Sequence, residues 1–96
     1  MKIVLRPHLK IRLEQREIPL NYPSKVVTKP EQKCFDNLTG HQIAIKKLTY
    51  NEKIRPMVVA YDIIGDEIQV ITVHPTTDQE INNKLKRKRW IKDEKN

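Results

Sequence analysis

Cysteine occurs once, at Cys34, so neither an internal disulfide nor a multi-cysteine metal site can form. The three histidines, His8, His41 and His74, follow no metal-ligand spacing and have no carboxylate cluster beside them. No metal and no cofactor is therefore expected. Aromatic residues are scarce at 5% and hydrophobic residues reach only 38% of 96 positions, which bounds the core. A core that modest suits one thin two-layer domain, expected over residues 1–92, with a charged frayed tail at 93–96. No signal-peptide core and no long apolar run is present, so the expectation is a cytoplasmic chain with no membrane partner. Internal repeats and low-complexity segments are missing too.

What the chain has is positive charge. Nineteen Lys and Arg against twelve Asp and Glu give a net charge of +7. A small domain so basic is suited to polyanions or to acidic proteins, and composition does not choose between them.

The apolar pattern divides the chain into short elements. "KIVL" (2–5) reads as a strand, and a helix over roughly 7–17 follows, with Pro7 tolerated in its first turn and Pro19 limiting it. A short second helix fits between Pro23 and Pro30, anchored by Tyr22, Val26 and Val27. The segment 32–50 reads as a hairpin turning at "NLTG". A second hairpin at 55–75 turns on Gly65-Asp66, a pair suited to a II′ turn. That turn sets Ile63 opposite Ile68, Tyr61 opposite Val70, Val59 opposite Thr72 and Met57 opposite His74. These residues form the more apolar face, expected to be the core beneath the first helix, with His74 on the helix-covered side. Residues 76–91 read as a helix opened by the capping box Thr77-x-x-Glu80 and carrying Ile81 and Leu85. The expected fold is α+β: a small two-layer fold with an antiparallel sheet of about four strands. N-terminal helices pack on one face, and a basic C-terminal helix closes the chain.

Three groups of residues bear on chemistry. His8, Arg12 and Arg16 recur every fourth position, at about 0°, 40° and 80° on a helical projection, while Leu9 and Leu13 fall at about 100° and 140°. The basic row thus borders the buried stripe, where long side chains can lie on apolar surface and present their heads to a groove. Two guanidiniums can clamp a phosphate beside an imidazole that titrates near neutrality. The plainer reading is a solvated helix face, supported by the Lys10–Glu14 spacing. His74 can transfer a proton or simply pack at a strand end, whereas His41 reads as exposed and idle. "KLKRKRW" (84–90) offers Lys84, Arg87 and Arg89 to a phosphate backbone and Trp90 for stacking. In a domain so short of aromatics, folding Trp90 onto the core is the competing use.

The motif H-x3-R-x3-R-x-I in "HLKIRLEQREI" (8–18), "VVAYDIIGDEIQVITVHP" (58–75) and "RW" (89–90) resemble one branch of the RelE/ParE-like toxin superfamily, a domain group of unknown function. The likeness spans residues 3–91. His74 stands where that branch often has Tyr, and Pro23 interrupts the second helix.

The resemblance implies a RelE-like fold and, from characterised relatives, an endoribonuclease toxin that needs no metal. Its expected partners are RNA, in a ribosome-associated setting or free of it, and a small acidic antitoxin. Arg12 is then the phosphate clamp, Arg16 its support, and His8 and His74 the proton-transfer groups. Lys84, Arg87, Arg89 and Trp90 form the nucleic-acid-binding set. The alternative is a non-catalytic binding module or a ParE-like inhibitor of a protein target, using the same basic surface. The residues set no oligomeric state.

Overall fold

The computed structural model describes residues 1–93, so the frayed tail expected at 93–96 falls outside it except for Asp93. The elements run β1 (Lys2–Leu5), α1 (Pro7–Gln15), α2 (Tyr22–Thr28), β2 (Gln32–Asp36), β3 (Gln42–Tyr50), β4 (Lys53–Ile64), β5 (Glu67–Pro75), α3 (Asp78–Lys86) and β6 (Trp90–Lys92). Over these residues no helix is long and apolar enough to cross a membrane.

The α+β class holds, but the sheet differs from the expected four antiparallel strands. It has six strands in the order β1-β5-β4-β3-β2-β6. β1 runs parallel to β5, pairing Lys2 with Glu67 through Leu5 with Val70, so the sheet is mixed. A four-residue strand carries no pattern that names its neighbour. β6 also lies where helix was expected. α3 ends at Lys86, Lys88 takes a left-handed φ of 63°, and the chain returns as a strand antiparallel to β2. Charged residues at 86–89 give no apolar stripe that would hold another helical turn against the sheet.

Helices cover both faces, the N-terminal pair on one and α3 on the other. Leu9 and Leu13 of α1 and Val26 of α2 join Ala44, Met57, Val59, Tyr61, Val70 and Val73 in one buried cluster. Ile81 of α3 and Trp90 join Cys34, Ile43, Ile45, Val58 and Ala60 in another, on the opposite face. β3 and β4 therefore bury both faces, which explains the continuous apolar run "MVVAY". Thr77 caps α3 as its sequence foretells, its hydroxyl accepting from the Glu80 N–H at 3.1 Å.

The β4–β5 hairpin follows the expected register only near its turn. Gly65 has the positive φ (62°) that a II′ turn needs at its first position, and Ile63 faces Ile68 and Tyr61 faces Val70. A β-bulge then shifts the pairing, so Ala60 faces Thr72, Val59 faces Val73, Val58 faces His74 and Met57 faces Pro75. The expected partners Thr72 for Val59 and His74 for Met57 are thus displaced by one residue. The gain is apolar: the bulge buries Val73 beneath the N-terminal helices and leaves Thr72 exposed. It also turns His74 to the face of α3.

Candidate active site

Because β1 is short, its pairing with β5 stops at Val70, and the outer edge of β5 beyond it lies open beside α1. An open edge invites another strand, but here the bulge and Pro75 blunt it. Arg16 adds to this, its Nη1 donating to the Val73 carbonyl at 3.4 Å.

The space between α1 and this edge is a cleft of about 270 Å³, lined by His8, Leu9, Arg12, Leu13, Arg16 and residues 71–74 of β5. The i, i+4 spacing on α1 aligns the three basic residues along one wall. Leu9 and Leu13, buried at 4% and 1%, form its floor and fix the helix rotation. The structure thus brings His8, Arg12, Arg16 and His74 to one place.

Their surroundings differ in ways that decide what each can do. His8 and Arg12 are exposed, and neither side chain has a hydrogen bond or ion pair among the described residues. Arg12 therefore keeps all its donors for a ligand. Arg16 is partly committed: its guanidinium tethers α1 to β5, and its backbone carbonyl accepts from Tyr50 Oη at 2.6 Å. His74 is half-buried, and its pKa is lowered, first by burial and then by the charges of Lys84 and Arg16, with Glu80 opposing. At neutral pH it is an uncharged imidazole, able to accept a proton.

The terminal basic segment is less available than its composition suggests. Arg89 grips Asp36 with two bonds, Nε to Oδ1 at 2.9 Å and Nη2 to Oδ2 at 3.2 Å. Asp36 also accepts from the backbone N–H groups of Leu38 and Thr39, closing the β2–β3 turn. Although burial opposes ionisation, these donors together hold the Asp36 carboxyl well below the usual carboxylate range. Trp90 is only 3% exposed, which leaves no ring face for stacking a base. Lys84 lies over that ring, its Nζ 4.5 Å from the centroid. Arg87, at the C-terminal cap of α3, is exposed, as are Lys86 and Lys88.

Sequence reasoning missed two constellations. His41, read as idle, meets Asp62 at 2.7 Å between Nδ1 and Oδ1. The partners sit 21 residues apart and meet only because β3 pairs with β4, so no local signal announced them. Asp36, by contrast, opens the turn "DNLTG", where an Asp accepting backbone N–H bonds is a regular turn device.

Among known proteins, no family model matches the chain, and neither a curated protein nor a solved structure matches it.

Proposed function

We propose that this protein is a toxin-like endoribonuclease that cleaves RNA by attack of a 2′-hydroxyl on the adjacent phosphate. The observation that carries the reading is one cleft lined by His8, Arg12, Arg16 and His74. That reaction asks for a base, an acid and a cation, and the cleft lining offers all three. His74, kept uncharged by burial, takes the proton of the 2′-hydroxyl as its oxygen bonds to phosphorus. His8 returns a proton to the departing 5′-oxygen. Arg12 holds the charge that builds on the phosphorane, and Arg16 supports it while anchoring the helix. The resemblance of "HLKIRLEQREI" to an uncharacterised branch of the RelE/ParE-like superfamily, whose characterised relatives include such toxins, supports the same class. A small acidic antitoxin complements the +7 surface, and the cytoplasm is where such a pair works.

Purified protein incubated with single-stranded RNA tests this directly. Cleavage is expected to survive EDTA and to leave 2′,3′-cyclic phosphate or 3′-phosphate ends. Intact RNA with the wild-type protein, or 5′-phosphate products that require Mg²⁺, would sink the mechanism. Tight RNA binding without any cleavage would instead favour the non-catalytic binding module.

A further inference from the structure

A second cleft lies on the face opposite α1 and α2, between α3 and strands β3 to β5. It also measures about 270 Å³, and its lining includes His41, Thr72, His74, Lys84 and Trp90. Ile71, Thr72 and His74 line both clefts. The two therefore meet at the stretch of β5 that the bulge reshapes and that β1 leaves uncovered.

We infer that the α3-side cleft seats the nucleotide one step beyond the pair that flanks the cleaved bond, so that a single-stranded RNA passes across the edge of β5 with His74 at the crossing. The substrate class rests on the endoribonuclease reading; the seat itself rests on charge and shape. The cleft's acidic neighbours are already engaged, Asp36 by Arg89 and Asp62 by His41. Lys84 is not: it has no carboxylate partner among the described residues, and its charge reaches His74. Its Nζ, held over the Trp90 ring, is a fixed cation for a phosphodiester. Thr72 presents an exposed hydroxyl between the two clefts. His41, with Nδ1 tied to Asp62, is left with Nε2 for a sugar hydroxyl or a base edge. At this volume, near the small end of ligand clefts, the seat takes a single nucleotide unit and excludes a duplex.

The test uses uncleavable 2′-O-methyl oligonucleotides of two and four residues, with dissociation constants and backbone amide shifts as readouts. The longer probe is expected to bind about tenfold more tightly, as one charge-assisted contact supplies. Its titration should move the amides of His41, Thr72 and Lys84 together with those of α1. Lys84→Ala should remove about that tenfold advantage of the longer probe over the dinucleotide. Thr72→Val, which keeps shape and so the fold, should weaken the longer probe more than the dinucleotide. RNA cleavage by the wild type, with shifts confined to the α1 cleft or no advantage of length, overturns the second seat and spares the nuclease reading. Shifts at His41, Thr72 and Lys84 without cleavage of any RNA keep the seat and overturn the nuclease. If neither probe binds, the seat falls whatever cleavage shows.

Discussion

Arg12 and Arg89 belong to the two basic runs of this chain and end in opposite circumstances. Arg12 stands exposed at the mouth of a cleft with no partner among the described residues. Arg89 is bound through two nitrogens to a buried carboxylate that also closes a turn. The first guanidinium is free to meet a phosphate; the second joins the α3–β6 connection to the β2–β3 turn. The comparison teaches that a basic cluster is no measure of a binding surface until the buried carboxylates have been assigned. Where a buried Asp exists, a nearby Arg is spent on it, because leaving that charge unpaired costs more than losing a surface contact.

The largest effect that would break the comparison is on catalysis. Arg12→Ala should lower the rate of RNA cleavage about 10²–10³-fold, the range for removing one donor from a developing oxyanion. Its melting temperature should barely move, since the side chain touches no partner. Arg89→Ala should behave in reverse, with a clear loss of stability and little change in the cleavage rate of the folded protein. Asp36→Ala should destabilise by about 2 kcal/mol, because two backbone N–H groups lose their acceptor. Equal loss of melting temperature in Arg12→Ala and Arg89→Ala would erase the distinction.

A smaller effect follows from His74. Its folded pKa lies below the unfolded value of about 6.5. As pH falls through that unfolded value the denatured chain takes up a proton first, so stability declines until the folded pKa is also passed. The cleavage rate, which in the proposed mechanism needs the neutral imidazole, should therefore rise with pH along a limb set below the ordinary histidine range. Lys84→Gln should move that limb to higher pH by removing a repelling cation. Glu80→Gln should move it lower, because Glu80 favours the charged form. A limb at the ordinary position, indifferent to both changes, would take His74 out of the proton transfer.

The legible parts of this fold are those decided within a few residues. The Thr77 cap, the Gly65 turn and the 3.6-residue period of His8, Arg12 and Arg16 are local, and the structure contains each of them. The parallel pairing of β1, the return of β6 and the bulge in β5 depend on what lies across the sheet. His74 shows both sides. Alternation placed it under the N-terminal helices, and the bulge turned it to the face of α3. It still lines the α1 cleft, because the edge of β5 is open there. His41 and Asp62 had no local signal at all.

The smallest effect sharpens the comparison within the terminal segment itself. Read as composition, Arg87 and Arg89 are equivalent, and replacing both would flatten the salt dependence of RNA binding by about 1 to 1.5 log–log units. The pairing of Arg89 with Asp36 changes that expectation. Arg87→Ala alone should flatten the slope by about 0.7, the contribution of one phosphate contact on a single strand. Arg89→Ala should leave the slope nearly unchanged while lowering the melting temperature, because its charge is already neutralised inside the protein. Affinities for one oligonucleotide measured across a salt series, with melting curves on the same samples, separate the two. Equal flattening in both variants would mean that the Arg89–Asp36 pair opens when RNA binds. Flattening in neither would move the nucleic acid off this segment, leaving Lys86, Arg87 and Lys88 as an exposed basic run for an acidic antitoxin. In that event Arg87→Ala should weaken the antitoxin complex while its affinity for RNA stays as it was.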